Sequence, residues 1–160
     1  MNKRASILLV IPGTAPGCTF DALHAAQTAR ALSRFFELDV LCPMLGRQGH
    51  VVDFHGARLM RVPLPGQDAG SVQVYARAVR RQLADGIYDA VHVRSALEGE
   101  VALELRPQAG FTLVCEPGPC TALARVLRSL DPQHSRSVDA RLIRESDLTL
   151  VHGPAARDGV

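Results

Sequence analysis

Short apolar runs alternate along this chain with helix-length amphipathic segments, and this alternation constrains the fold more than any other feature. Apolar runs without polar alternation are typical of strands buried on both faces of a parallel sheet. Parallel neighbours need a crossover connection, usually a helix. The sequence therefore predicts an α/β fold, a Rossmann-like parallel β-sheet with helices on both faces. Its predicted strands are 7–11, 37–42, 58–62, 88–93, 111–115 and 148–151, and 51–54 forms a hairpin or bent pair with 58–62.

Five helices are predicted between these strands, at 20–35, after Ser71, at 97–106, at 121–130 and at 138–145. Thr19 and Ser71 are candidate N-caps, and Gly86 is expected to end the second helix. Pro107 is expected to stop the third helix, and the pair Asp131-Pro132 to separate the last two. The first helix is predicted to bury a stripe of larger residues, namely Phe20, Leu23, Ala26, Leu32 and Phe35.

Length and composition exclude several classes of protein. The 160 residues suffice for one domain with a proper core. A net charge of +2 without a basic run argues against nucleic acid as a partner. No stretch approaches the ~20 apolar residues of a membrane span. The run at 7–11 is shorter than the roughly 7–15 apolar residues of a signal peptide. We therefore expect a cytoplasmic protein without a transmembrane segment.

The four cysteines, Cys18, Cys42, Cys115 and Cys120, lack the two-residue spacing of zinc and redox sites. Free thiols are the expected state. Histidine and cysteine pairs of known ligand spacing are also missing from the sequence, so we expect no metal and no bound cofactor.

A parallel sheet binds its ligands at the carboxyl ends of its strands. The loops at those ends are 12–18, 94–96, 116–120 and 152–154. The first loop leads from a buried strand through glycines into a helix, an arrangement that offers free backbone N–H groups to a ligand. Its candidate binding residues are Gly13, Thr14, Gly17 and Cys18. The alternative is a purely structural turn between strand and helix.

The first loop departs from the known nucleotide-binding fingerprints. A dinucleotide site needs a third glycine at the helix start and an acidic residue closing the second strand. The chain has Cys18-Thr19-Phe20 and Cys42-Pro43 at those places. It also lacks the Gly-Lys-Ser/Thr of a P-loop and the Gly-x-Ser-x-Gly of a hydrolase nucleophile. Dinucleotide and hydrolase functions are therefore disfavoured.

Polar residues also follow two later strands. His92 and Arg94 point the same way from one strand, because a strand alternates its faces, and Ser95 follows them. Arginine at this edge could bind a phosphate or carboxylate. Alternatively, His92 is a core residue and Arg94 pairs with Glu98 or Glu116. Glu116, at the next strand end, could orient a sugar hydroxyl, act as a base, or balance Arg94. A lone His152 is more often structural.

Four segments, taken in order, resemble the N-terminal domain of GT-B glycosyltransferases, close to glycosyltransferase family 4. They are Ala29-Arg30-Ala31-Leu32 in the first helix, Arg-Leu-Met-Arg-Val-Pro at 58–63, Asp-Ala-Val-His-Val-Arg-Ser at 89–95, and Ser-Asp-Leu-Thr-Leu-Val at 146–151. Each segment is weak alone, and Gly153 replaces the serine usual after the last one. The order and spacing of the segments carry the resemblance, which covers nearly all of the chain.

The resemblance implies a domain that faces a second Rossmann-like domain across a cleft. The N-terminal domain of such enzymes holds the acceptor, and the C-terminal domain holds the nucleotide-sugar donor, a co-substrate. Family members are typically retaining and metal-independent. Residues 13–18 would line the cleft, with His92, Arg94, Ser95, Glu116 and Gly118 at neighbouring strand ends. The acceptor would be a sugar, a lipid or another small molecule.

Two departures from the family pattern qualify these expectations. Gly118 stands where many members carry a histidine that contacts the donor sugar. Residues 1–160 form a single N-terminal domain without the C-terminal donor domain, so the chain should have little activity alone. That domain would be supplied in cis or in trans, and an exposed cleft face could produce a homodimer. The alternative function is a standalone Rossmann-like module that binds a nucleotide or small anion without catalysis.

Overall fold

The computed structural model describes residues 3–13, 15, 19–44, 46–118 and 122–151. Strands and helices alternate along these residues, as the sequence predicts. Their order is β1 (Ser6–Val10), α1 (Phe20–Leu32), β2 (Glu37–Met44), β3 (Val51–Phe54), β4 (Ala57–Pro63), α2 (Ala69–Asp85), β5 (Ala90–Val93), α3 (Ala96–Ala109), β6 (Thr112–Cys115), α4 (Ala122–Leu130), α5 (Pro132–Glu145) and β7 (Leu148–Thr149).

The strands form one sheet in the order β3-β4-β2-β1-β5-β6-β7. Every neighbouring pair is parallel except β3 and β4, an antiparallel hairpin at one edge. The predicted Rossmann-like α/β class is therefore confirmed. From β1 the chain first builds outward through β2 and β4, and then crosses back to add β5 on the other side. The order reverses between β1 and β5, which is where open α/β sheets place their ligand crevice.

Two apolar cores cover the two faces of the sheet. Leu8 and Val10 of β1 face α2, α3, α4 and α5, whereas Leu9 and Ile11 face α1. The alternation of β1 between two cores explains why its sequence does not alternate between apolar and polar residues. Among the described residues, no helix is both long and apolar enough to cross a membrane.

Helix α1 packs mainly through alanines, and of the predicted stripe Ala26 and Leu32 contact the core while Leu23 and Phe35 are exposed. Its buried positions are Ala22, Ala25 and Ala29, while Leu23 is 55% exposed. The helix also ends at Leu32, so Phe35 lies beyond it. The small side chains at these positions allow the helix to lie close to the sheet. The predicted cap is confirmed, since Thr19 accepts a hydrogen bond from the backbone N–H of Ala22 at 3.3 Å.

The other helices correct three predicted boundaries. Helix α2 is capped by Asp68, and Ser71 lies buried in its first turn. Helix α3 continues past Pro107 to a left-handed Gly110, because proline in the last turn disturbs few hydrogen bonds. Helix α5 begins at Pro132, since proline fits the first helical position after the Asp131 cap. Gly86 ends α2 as predicted.

Strand β2 runs through Pro43, which the sequence suggested would close it. The pairing of β1 with β2 ends at Leu41, so the missing N–H of Pro43 falls where β1 no longer needs a donor. The β3–β4 connection is a two-residue hairpin in which His55 and Gly56 both have positive φ, at 57° and 84°. Of the two predicted geometries, the hairpin is the one found.

Candidate functional site

The carboxyl ends of β5 and β6 bring three of the predicted site residues together. His92 lies in β5, Arg94 follows it, and Glu116 directly follows β6. The strands are paired in register up to Val93, and the N–H of Glu116 donates to the carbonyl of Val93. Parallel pairing thus places the side chains of these residues on one layer, next to the reversal point of the sheet.

Glu116 is the centre of this cluster and is only 2% exposed. Its Oε2 lies 2.7 Å from Nε2 of His92 and 3.8 Å from Nε of Arg94, and its Oε1 lies 3.0 Å from Nε2 of His24. The carboxylate of Glu116 therefore lies in close contact with both imidazoles and with the guanidinium. Arg94 supplies a permanent positive charge beside the buried carboxylate. The contact between Arg94 and Glu116 is the pairing that one sequence interpretation allowed.

His24 is the member of the cluster that sequence reasoning missed. It lies on α1, one turn after the Thr19 cap, and its Nδ1 is 3.4 Å from the hydroxyl of Thr28. It therefore reaches Glu116 from the opposite side of the crevice to β5. Nothing in the local pattern links His24 with Glu116, because the contact depends on how α1 crosses the sheet.

Gly118 leaves space for the guanidinium of Arg94. A Cβ at this position would lie 2.7 Å from Nη2 and 3.1 Å from Cζ of Arg94. Real Cβ atoms do not approach so closely, and the arginine side chain is itself buried. The backbones of the two residues are also linked, because the N–H of Gly118 donates to the carbonyl of Arg94. The two residues are therefore sterically coupled.

Ser95 acts as the N-cap of α3. Its hydroxyl donates to Glu98 Oε2 at 2.5 Å and accepts from the N–H of Leu97. Glu98 is fully buried and also accepts from the backbone N–H groups of Arg94 and Ser95. Burial raises the pKa of the Glu98 carboxyl to about 7, against the lowering effect of these donors. Glu98 thus fixes the backbone that carries Arg94.

The first loop is described only in part. Gly13 lies three residues beyond the end of β1, and Ala15 is buried in the core on the α1 face. Thr14, Gly17, Cys18 and the later candidate His152 lie outside the described residues.

A cavity of about 150 Å³ adjoins the cluster at the N-terminus of α3. Arg94, Ser95 and Gly118 line it on one side, with Arg128 and Asp139 on another. Nη2 of Arg128 lies 3.3 Å from Oδ2 of Asp139, and burial raises the pKa of that carboxyl. Arg94, next to the Ser95 cap of α3, and Arg128, in the last turn of α4, give the cavity two guanidinium groups, which favour a small anion or a polar ligand.

The cluster can bind and orient a polar ligand, because it holds a carboxylate, two imidazoles and a guanidinium within one buried layer. Hydroxyl groups of a sugar could accept from Arg94 or exchange protons with the imidazoles. Among the described residues, no group of three or more His, Cys, Asp or Glu side chains is spaced to hold a metal ion.

No protein-family model matches the chain, and no match was found among curated proteins. Two solved structures of sucrose-phosphate synthase from Thermosynechococcus elongatus are similar to it. One superposes with a TM-score of 0.65 at 16% identity, covering 94% of this chain and 77% of the other. The second has a TM-score of 0.68 at 17% identity, and this chain spans only 43% of it. At this identity the likeness shows the fold alone, so the chain shares the Rossmann-type α/β fold of these structures.

Proposed function

We propose that this chain is the N-terminal, acceptor-binding domain of a retaining, nucleotide-sugar-dependent glycosyltransferase close to family 4. The enzyme would transfer a hexose to a sugar, a lipid or another small molecule. The observation that carries the proposal is the buried Glu116 cluster at the carboxyl ends of β5 and β6. It occupies the crevice position of a fold shared with sucrose-phosphate synthase, whose name denotes an enzyme of phosphorylated sugars.

The role that we assign to the cluster is recognition of acceptor hydroxyls. Arg94 would donate to an acceptor oxygen, and His92 and His24 would hold Glu116 in one orientation. Charged hydrogen bonds in such a dry site are stronger than in water. The first loop, with Gly13, Thr14, Gly17 and Cys18, would form the adjacent wall of the cleft. Gly118 and the Ser95 cap would keep Arg94 in place.

The donor side of the reaction would come from a second domain, in cis or in trans. The nucleotide sugar is a co-substrate in this proposal, and neither metal nor cofactor is required. The chain alone would bind an acceptor but turn over slowly. A second copy could occupy the cleft face in its place, giving a homodimer. Within the cell we assign the domain to the cytoplasm.

Calorimetric titration tests this proposal with three groups of ligands: neutral sugars, sugar phosphates, and nucleotides with nucleotide sugars. We expect binding of a member of the first two groups and weak binding of the third. Glu116→Gln and Arg94→Met should weaken binding at least tenfold, because each removes a charge of the cluster. Arg80→Met, on the exposed face of α2, is the matched control and should change nothing. Unchanged affinity in Glu116→Gln would refute the proposal.

A standalone module for nucleotides or small anions is the second candidate. The cavity lined by Arg94 and Arg128 at the N-terminus of α3 favours it. In that case nucleotides alone would bind tightly in the same titrations, and Arg128→Met would weaken this binding. Sugars without phosphate would show no heat of binding.

A further inference from the structure

Arg61 of β4 is a buried cation that the proposed site does not use. Its Nε donates to the carbonyl of Ala15 at 2.9 Å, and its Nη1 donates to the carbonyl of Gly49 at 2.6 Å. Among the described residues, these two neutral carbonyls are the partners of its guanidinium, and no carboxylate joins them. The side chain therefore serves to connect two backbone segments rather than to form an ion pair.

The two carbonyls belong to segments that are distant in sequence. Ala15 lies in the first loop, between Gly13 and Gly17, whereas Gly49 lies in the connection of β2 to β3. The backbone N–H of Arg61 also donates to the carbonyl of His50 at 2.7 Å, so the second segment is held at two points. One side chain thus joins the predicted ligand loop to the neighbouring edge of the sheet.

Ala15 is held at further points besides its carbonyl. Its methyl group is 1% exposed and packs in the core on the α1 face. Its backbone also hydrogen-bonds Cys42, the residue paired with Arg61 in the sheet. Burial raises the pKa of the Cys42 thiol to about 11, so this contact is to a neutral thiol at neutral pH. Ala15 is therefore a fixed point of the first loop.

Arginine suits this role because its planar guanidinium carries donors that diverge from one rigid group. A lysine has a single nitrogen and cannot match the geometry of both carbonyls. Removing the guanidinium would leave two partly buried carbonyls without a donor, and unsatisfied groups of this kind open toward water. The two segments would then loosen together.

We propose that Arg61 is a positioning residue that ties the first loop, at Ala15, to the segment 46–50, beside the proposed cleft. It would set ligand affinity without touching the ligand. The predicted effect of Arg61 on ligand affinity rests on the proposed function, whereas its predicted effect on the two segments does not.

Hydrogen–deuterium exchange measured by mass spectrometry tests the connection directly. In Arg61→Met, peptides covering 11–18 and 46–50 should both exchange at least tenfold faster, while β5 and α2 stay protected. Arg61→Lys should give intermediate increases in the exchange rates of both segments. If Arg61→Met does not fold, the exchange rates of Arg61→Lys provide the test. Arg58→Met is the matched control, since Arg58 lies on the same strand but pairs with Asp39 at an exposed site. It should leave both segments unchanged. Loosening of one segment alone, of neither, or of the whole chain equally would overturn the proposal.

Ligand titrations separate this proposal from the proposed function. With the sugar or sugar phosphate that wild-type protein binds, Arg61→Met should raise the dissociation constant about tenfold, and Arg61→Lys less. Faster exchange in both segments with unchanged affinity would overturn the effect on the ligand. If wild-type protein binds none of these sugars, the proposed function fails, and the exchange result still decides whether Arg61 joins the segments.

Discussion

Arg94 and Gly118 form a pair in which each residue determines what the other can be. A methyl group at 118 would overlap the buried guanidinium, so Gly118→Ala should displace Arg94 from Glu116. We expect a loss of about 1–3 kcal/mol in the free energy of unfolding, the usual cost of overpacking. Binding of the acceptor should weaken as well. Urea denaturation and calorimetry measure the two effects.

A double-mutant cycle isolates this coupling. In an Arg94→Met background the methyl group meets a smaller, uncharged side chain, so Gly118→Ala should cost less there than in wild type. Gly66→Ala is the matched control, because a Cβ at that loop glycine would meet no atom closer than 3.8 Å. Equal costs in both backgrounds would show that Arg94 does not fill the space beside Gly118. The family resemblance implies a histidine at position 118, where this chain has glycine. The Cβ of a histidine would overlap the Arg94 guanidinium in the same way.

Glu98 should make the stability of the protein depend on pH. Its pKa is raised by burial to about 7, above the value of ~4.3 in an unfolded chain. Between these values the folded state binds more protons, so its stability falls as pH rises. The contribution is complete below pH ~4.3 and is lost above about pH 7. At about 1.4 kcal/mol per pKa unit, the change is a few kcal/mol.

Denaturation midpoints between pH 4 and 8 measure this dependence. Glu98→Gln should reduce the fall in stability across that range, because the amide does not titrate and can still accept from the backbone of Arg94 and Ser95. Glu104→Gln, at an exposed ion pair with Arg80, should keep the wild-type profile. Parallel profiles for wild type and Glu98→Gln would contradict the assignment of the effect to this buried carboxyl.

The sequence predicted correctly which candidate residues regular strand geometry brings together. His92, Arg94 and Glu116 could be placed on one layer because neighbouring parallel strands end at one edge. His24 could not be found in this way, since a helix has no fixed register against the sheet. Its contact with Glu116 results from the tertiary packing of α1. Local pattern therefore predicts contacts between strands better than those between helix and sheet.

At the level of elements, prolines caused most of the errors in boundaries. Pro43, Pro107 and Pro132 were each interpreted as a stop, yet each lies inside its element or opens it. The cost of a proline depends on whether its missing N–H had a partner, and this depends on neighbours that the sequence does not show. The buried stripe of helix α2 is as predicted, because its apolar residues Val72 to Leu83 keep a regular helical spacing, although its cap is Asp68.

The contact between α3 and α5 depends on Gly99. A Cβ there would lie 2.2 Å from Cδ1 of Leu142, which is itself buried. Gly99→Ala should therefore destabilise the protein by about 1–3 kcal/mol despite the better helix propensity of alanine. The control is Gly70→Ala, in the exposed first turn of α2, where the nearest atom would be 3.4 Å away. It should be neutral or stabilising by thermal denaturation. Equal melting temperatures for the two variants would contradict close packing at Gly99.

At the scale of the whole molecule, sequence patterns predict the type of sheet but not the order of its strands. The alternation of strands and helices predicts a parallel sheet, because each crossover needs a helix. It does not say on which side of β1 each new strand is added. That choice places β5 next to β1 and thereby brings His92 and Arg94 to the crevice beside the first loop. The site therefore depends on a topological choice that no single segment encodes.

Both cores share one sheet, so we expect them to unfold together. Leu59 is buried on the α1 face, and Tyr75 is buried on the other face, where its hydroxyl donates to the carbonyls of Ile11 and Leu41. Leu59→Ala should cost about 2–5 kcal/mol. Because the same strands support both faces, its urea midpoint should fall equally by far-ultraviolet circular dichroism and by tyrosine fluorescence.

The matched variant on the opposite face is Val79→Ala, which removes a side chain buried beside Tyr75 in the other core. It should lower the midpoints of both probes together, as Leu59→Ala does. A tyrosine transition that stays in place while the circular dichroism transition moves in Leu59→Ala would show that the α1 face opens alone. In that case His24, on the α1 side, could detach from Glu116 without unfolding of β5 and β6. Coincident transitions would mean that the Glu116 cluster persists as long as the sheet does.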